Sequence, residues 1–235
     1  MPATTLTVAA ASSLAPILPA LVVAWNRDNE TVIRPTFGAS GTLLRQIAAG
    51  APVDVFLSAG EKEVNELVTR GAARPATRTR FAENRLVLAQ LITISARIEV
   101  WSDLVKIVGY RVALGKPDTV PAGRYAKEVL EKHRVYAALQ ARNSLVFTGT
   151  VRQSADAAAM GNVNAALIFA TDVRADPRLS TVLVAKPGVD HTPIRYVAVV
   201  TKQSRREGEA SRFVAFLRSD SAKRVLAGAG FRVTE

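Results

Sequence analysis

The sequence predicts an α/β fold, two α/β lobes joined by two crossing strands. Three observations carry that expectation. Short β-branched runs alternate with apolar residues at helical spacing along the chain. Two longer apolar strands, at 85–94 and 194–201, divide it into thirds. No internal repeat, low-complexity tract or flexible linker interrupts the alternation. One lobe then takes residues 1–84 and 194–235 and the other takes 85–193; one continuous sheet is the alternative on pattern alone.

In order, residues 5–10 read as the first strand. Leu14, Ile17, Leu18, Leu21, Val22 and Trp25 then recur at helical spacing, so a helix follows almost at once. Residues 32–37 form a second strand, and a helix from about Gly41 carries Leu43, Leu44 and Ile47 and stops at Gly50. A strand at 54–59 leads to a helix at 61–70 closed by Gly71. After the first long strand come a strand at 111–114, a helix at 122–132 and a shorter one at 135–142. A strand at 145–147, a helix at 151–160 and a strand at 165–170 follow. Beyond the second long strand the tail at 207–226 is helical, broken near Ser219-Asp220, and ends in a short Gly-Phe-Arg-Val strand.

At 235 residues and 49% hydrophobic composition the chain can bury a large core. No apolar run reaches the roughly 18 residues that a membrane span needs. The absence of cysteine excludes thiol chemistry, disulfides and thiolate metal sites, and fits any redox compartment. His133 and His191, far apart in sequence, argue against a histidine metal site. The start, MPATTLTVAAASSL, has no basic opening and no cleavage site, and reads as a mature protein with an initiator Met, its export signal either absent in nature or removed. The net charge of +11 fits either a solvated basic surface or steering of an anion; the Lys and Arg residues are scattered, with few aromatics among them.

Chemistry is expected at the strand-to-helix junctions. In open α/β sheets ligands collect beyond the carboxyl ends of the strands, and helix N-termini there offer N–H groups and about half a positive charge to an anion. Four junctions carry small or hydroxyl residues: Ser12 and Ser13 in TVAAASSLAPIL, Ser40 and Gly41 in FGASGTLLRQIAAG, Pro121-Ala122-Gly123 in VPAGRYAKEVL, and Gly149-Thr150-Val151 in GTVRQSADAA. A single serine in such a place is ordinarily an N-cap; four such junctions, two per expected lobe, point instead to a converging anion cradle.

These segments also resemble a known family. FGASGTLLRQIAAGAPVDVFLSA at 37–59 is similar to the signature of the periplasmic molybdate-binding proteins. TVAAASSL, PAGRYAKEVL and AALIFATDV match three further blocks of that family in order and spacing. The likeness reaches the Gly230-Phe231 ending and so spans essentially the whole chain. It implies the type II fold of periplasmic binding proteins, with the ligand in an inter-lobe cleft. It further implies a tetrahedral oxyanion, molybdate or tungstate, held by neutral donors and handed to a membrane ABC permease. A monomer with no cofactor, no nucleic acid and no direct metal ligands is expected, the metalate being held through its oxygens. The location implied is periplasmic, or extracellular and membrane-tethered.

Carried over by motif, the first serine donor falls on Ser13, with Ser12 beside it, and the second on Ser40. Backbone N–H donors fall on Ala122 and Val151. The family's fifth ligand, a tyrosine hydroxyl, aligns with Phe169 in Leu167-Ile168-Phe169-Ala170-Thr171-Asp172. A phenyl ring cannot donate, and a hydrogen bond to a charged group is worth roughly 1.5–3 kcal/mol. Ser12, Tyr125 or an ordered water are the replacements the sequence offers. Ala166, where the family often has glycine, is a second departure in the same block.

No arginine is required. Oriented N–H and O–H dipoles can replace water around a dianion through short charge-assisted hydrogen bonds. A donor-only site favours a fully deprotonated anion over phosphate, which keeps a proton at neutral pH. Other classes remain. A hydrolase is disfavoured because Gly38-Ala39-Ser40-Gly41 lacks the full G-x-S-x-G pattern. Asp54 and Asp172 read as strand-end structural carboxylates. The effector-sensing domain of a regulator, or the same fold turned to another oxyanion, stays open.

Overall fold

Residues 5–11 are apolar at five of seven positions and continuously so from Val8, as expected of a parallel strand covered on both faces. They form β1 (Thr5–Ala11), which pairs in parallel with β2 (Val32–Gly38) on one side and β3 (Val55–Ser58) on the other. A computed structural model describes residues 4–233. The chain divides into two units, Met1–Glu83 with Arg195–Glu235, and Asn84–Ile194.

In the first unit, helix α1 (Leu18–Trp25) follows β1, α2 (Ser40–Ala48) follows β2, and α3 (Glu61–Thr69) follows β3. Leu43, Leu44 and Ile47 share one face of α2 and are buried with Phe56, Val64, Leu67, Val197 and Val199. Strand β4 (Thr79–Asn84) ends at the unit boundary.

The second unit opens with β5 (Leu86–Leu91) and continues through β6 (Val112–Gly115), α4 (Pro121–Lys132), α5 (Tyr136–Ala141), β7 (Leu145–Thr148), α6 (Val151–Ala159), β8 (Ala165–Phe169), α7 (Ala170–Arg174) and β9 (Leu179–Val184). Its sheet has the order β7-β6-β8-β5-β9. Strand β6 runs parallel to β7 and β8, and β5 antiparallel to β8 and β9. The chain returns to the first unit through β10 (Ile194–Val200), antiparallel to β3 in a sheet ordered β2-β1-β3-β10-β4, and closes with α8 (Glu207–Phe216) and α9 (Asp220–Gly228). Two α/β units with mixed sheets are the fold class the sequence predicts, and the single continuous sheet is excluded.

Three local expectations are corrected, and two short elements are additional to those expected. The helix after β1 is interrupted: Ser12–Leu14 make a 3-10 turn, and α1 begins only at Leu18. Pro16 lacks an N–H, so the ladder cannot run through it; the turn closes instead with Ala15 N–H donating to Ser12 O and Ile17 N–H to Leu14 O. The first long strand is shorter than 85–94, and a separate strand, β4, precedes it. Asn84 breaks the run, its Oδ1 accepting from Arg85 N–H and its Nδ2 donating to Thr171 Oγ1. Strand β9 and helix α7 have no sequence signal because β9 buries little beyond Leu179 and α7 has five residues. The terminal strand reduces to one bridge, Arg232 to Glu83. The predicted break in the tail is real: Ser219 caps α9, its Oγ accepting from Ala222 N–H at 3.2 Å.

Candidate functional site

Parallel strands put their carboxyl ends on one edge of a sheet, and the first unit uses that edge. Ala11 at the end of β1 lies in register with Gly38 at the end of β2, so Ser13 and Ser40 emerge side by side, with Ser58 and Ala59 closing β3 next to them. Ser12 and Ser13 are both buried in the 3-10 turn. The Ser13 hydroxyl lies 2.7 Å from the Tyr196 hydroxyl of β10. That tyrosine is wholly buried and was not singled out from the sequence, because it sits 183 residues from Ser13 inside an apolar strand.

Ser40 is not an N-cap. Ala39 holds the cap position, extended at φ −68° and ψ 135°, and Ser40 is the first helical residue of α2. Its hydroxyl, fully buried, accepts from Ala59 N–H at 3.2 Å. The proton on that hydroxyl is therefore not the one used in this bond. The helix ladder starts with Thr42 and Leu43 donating to Ala39 O, which leaves the N–H groups of Ser40 and Gly41 outside it.

The second unit repeats the plan. Gly115 at the end of β6 is in register with Thr148 at the end of β7, and β8, parallel to β6, ends at Phe169. Ala122 and Val151 thus follow β6 and β7, and Phe169 ends β8, three neighbouring parallel strands. Pro121 opens α4 at a position where its missing N–H costs nothing. The ladder begins with Arg124 N–H donating to Val120 O, so Ala122 N–H lies ahead of it. Gly123 lets this turn sit on β6, since a Cβ there would overlap the Gly115 carbonyl.

At α6 a capping box settles the first turn. Thr150 Oγ1 accepts from Gln153 N–H at 3.2 Å, and Gln153 Oε1 accepts from the N–H groups of Thr150 and Gly149. Val151 N–H takes no part in that box. Of the nearby cations, Arg152 pairs with Asp156 at 3.0 Å, and Arg124 lies over the Tyr125 ring at 5.2 Å.

Phe169 is buried, its N–H donating to Asp172 Oδ2 at 3.1 Å. Burial pushes the Asp172 carboxyl up to about 7, against the pull of that N–H. Asp172 fixes the end of β8; in the first unit Asp54, just ahead of β3, accepts from Thr7 N–H of β1 at 2.8 Å and from the Ser204 hydroxyl at 2.7 Å. Tyr125 is buried with its ring 5.7 Å from His191.

Within each unit, then, the residues singled out from sequence gather at one sheet edge: Ser12, Ser13 and Ser40 in the first, Ala122, Val151 and Phe169 in the second. Such an arrangement presents hydroxyl and amide protons and no nucleophile–base pair; chemically it can hold an anion.

Residues 6–232 match the family of bacterial extracellular solute-binding proteins. YvgL of Bacillus subtilis, provisionally named an ABC transporter substrate-binding lipoprotein, is 32% identical over 228 residues, which cover 97% of this chain and 86% of that one. The molybdate-binding protein ModA of Haemophilus influenzae is 30% identical over 209 residues, 88% of this chain and 80% of ModA. Among solved structures, the periplasmic molybdate-binding protein of Azotobacter vinelandii shares the fold with a TM-score of 0.87 at 24% identity, covering 98% of this chain and 100% of the other. Solute binding is what this family is described by. The chain belongs to the bacterial extracellular solute-binding proteins and, within them, to the family of the molybdate-binding proteins.

Proposed function

We propose that this protein binds a tetrahedral oxyanion, molybdate or tungstate, and delivers it to a membrane ABC permease from the periplasm or from a tether on the outer face of the membrane. Ser13, Ser40, Ala122 and Val151, two from each unit, donate to one dehydrated dianion, and the protein works as a monomer without a cofactor. The observation that carries this reading is the wiring of Ser40. Its oxygen accepts from Ala59 N–H, so its own proton is left to be given to a ligand. An outward-donating hydroxyl beside the free N–H groups of a helix start suits an anion without protons of its own.

A second reading, the same fold serving a different oxyanion, is favoured by one residue. Phe169 stands where the family's tyrosine would donate. Isothermal calorimetry separates the two. Molybdate and tungstate are expected to bind with 1:1 stoichiometry, with little heat from sulfate or phosphate. Binding of another anion with no response to either metalate would transfer the assignment to that anion.

A further inference from the structure

Tyr196 lies outside every motif that points to the site, yet its hydroxyl is 2.7 Å from that of Ser13. The tyrosine is 0% exposed, and its ring is held edge-on by Phe81 at 6.1 Å and Phe231 at 5.2 Å, with interplanar angles of 72° and 90°. Its oxygen is thereby fixed in place. Resting on the oxyanion reading above, we infer that Tyr196 is a positioning residue for binding: it donates its proton to Ser13 and so commits the Ser13 proton to the bound anion.

The argument is a count of protons. Each hydroxyl has one to give. A fully deprotonated oxyanion can only accept, so Ser13 must spend its proton on it. The proton lying between Ser13 Oγ and Tyr196 Oη is then the tyrosine's. Ser40 is wired alike by a donor whose direction is not in question, the Ala59 N–H. Both serines therefore accept from the protein and donate outward. A chain of this kind also polarises its last hydroxyl, which strengthens the bond to the anion.

The same wiring bears on selectivity. A monoprotonated anion such as hydrogen phosphate needs an acceptor for its own proton. With the Ala59 N–H on Ser40 and the Tyr196 hydroxyl on Ser13, one of the two lone pairs on each serine oxygen is already taken, which leaves each a poorer acceptor for that proton. Removing the Tyr196 hydroxyl frees the Ser13 oxygen to accept.

The test is Tyr196→Phe, which keeps the ring against Phe81 and Phe231; thermal unfolding without ligand verifies that it folds. Molybdate is expected to bind roughly 3- to 10-fold more weakly, the worth of one ordinary hydrogen bond, while hydrogen phosphate loses less or gains. The decisive readout is a double-mutant cycle. In a Ser13→Ala background Tyr196→Phe is expected to have no further effect on affinity, whereas in a Ser40→Ala background its effect persists. A purely structural tyrosine would not show that dependence on Ser13. Wild-type binding with Tyr196→Phe within twofold of it, or an undiminished loss in the Ser13→Ala background, would overturn the inference and leave the proposed function standing. Failure of the wild-type protein to bind either metalate would remove the proposed function itself. Should Tyr196→Phe not fold, 3-fluorotyrosine at position 196, a stronger donor, is expected to tighten binding, and unchanged or weaker binding would count against the role.

Discussion

Ser40→Ala is expected to weaken molybdate binding about 10- to 100-fold, the range for losing a hydrogen bond to a charged group. The substitution deletes an outward-donating proton and also leaves Ala59 N–H without its acceptor in a buried place. The helix itself should survive, because Ala39 and not Ser40 is the cap and the ladder runs from Thr42 and Leu43 to Ala39 O. The apo protein is accordingly expected to melt within a few degrees of wild type. Titration of the folded variant with molybdate, paired with its melting curve, checks both halves of the claim. Wild-type affinity in Ser40→Ala would mean that the hydroxyl does not face the ligand.

The second large effect concerns the backbone. Gly123→Ala is expected to cost about 2–3 kcal/mol of stability, as overpacking of a tight contact does, and to weaken metalate binding more than tenfold. The new Cβ would collide with the carbonyl of Gly115, which is strand backbone and cannot swing away as a flexible side chain could. The first turn of α4 must then lift from the end of β6 and take Ala122 N–H with it. Gly208→Ala in α8 is the control. Nothing lies within 4 Å of its Cβ position, so there the usual gain of alanine over glycine in a helix is expected. Differential scanning calorimetry of the two variants distinguishes a site-specific clash from a general intolerance of the fold.

The frame of this molecule is legible in its sequence because its central parallel strands β1, β3, β6 and β8 are largely buried and its longer helices carry apolar stripes. Leu43, Leu44 and Ile47 announce α2, and the small residues at Ala39-Ser40-Gly41 and Pro121-Ala122-Gly123 mark two anion-suited turns. What stays hidden is set by contacts distant in sequence or too short to show a period. Pro16 turns an expected helix into a 3-10 turn, Asn84 separates β4 from β5 through side-chain hydrogen bonds, and β9 lacks alternation because it buries little. The Ser13 hydroxyl is easily noticed, but nothing within residues 7–18 shows that Tyr196 meets it. Likewise only the fold reveals that Ser40 accepts from Ala59 and is not a cap.

Crystals grown with tungstate, with the tungsten located by its anomalous scattering, test the central claim most directly. Tungstate oxygens are expected at hydrogen-bonding distance, about 2.7–3.2 Å, from the hydroxyls of Ser13 and Ser40 and from the N–H groups of Ala122 and Val151. A tungsten peak seated instead against Lys or Arg side chains, with those four donors turned to water, would contradict it.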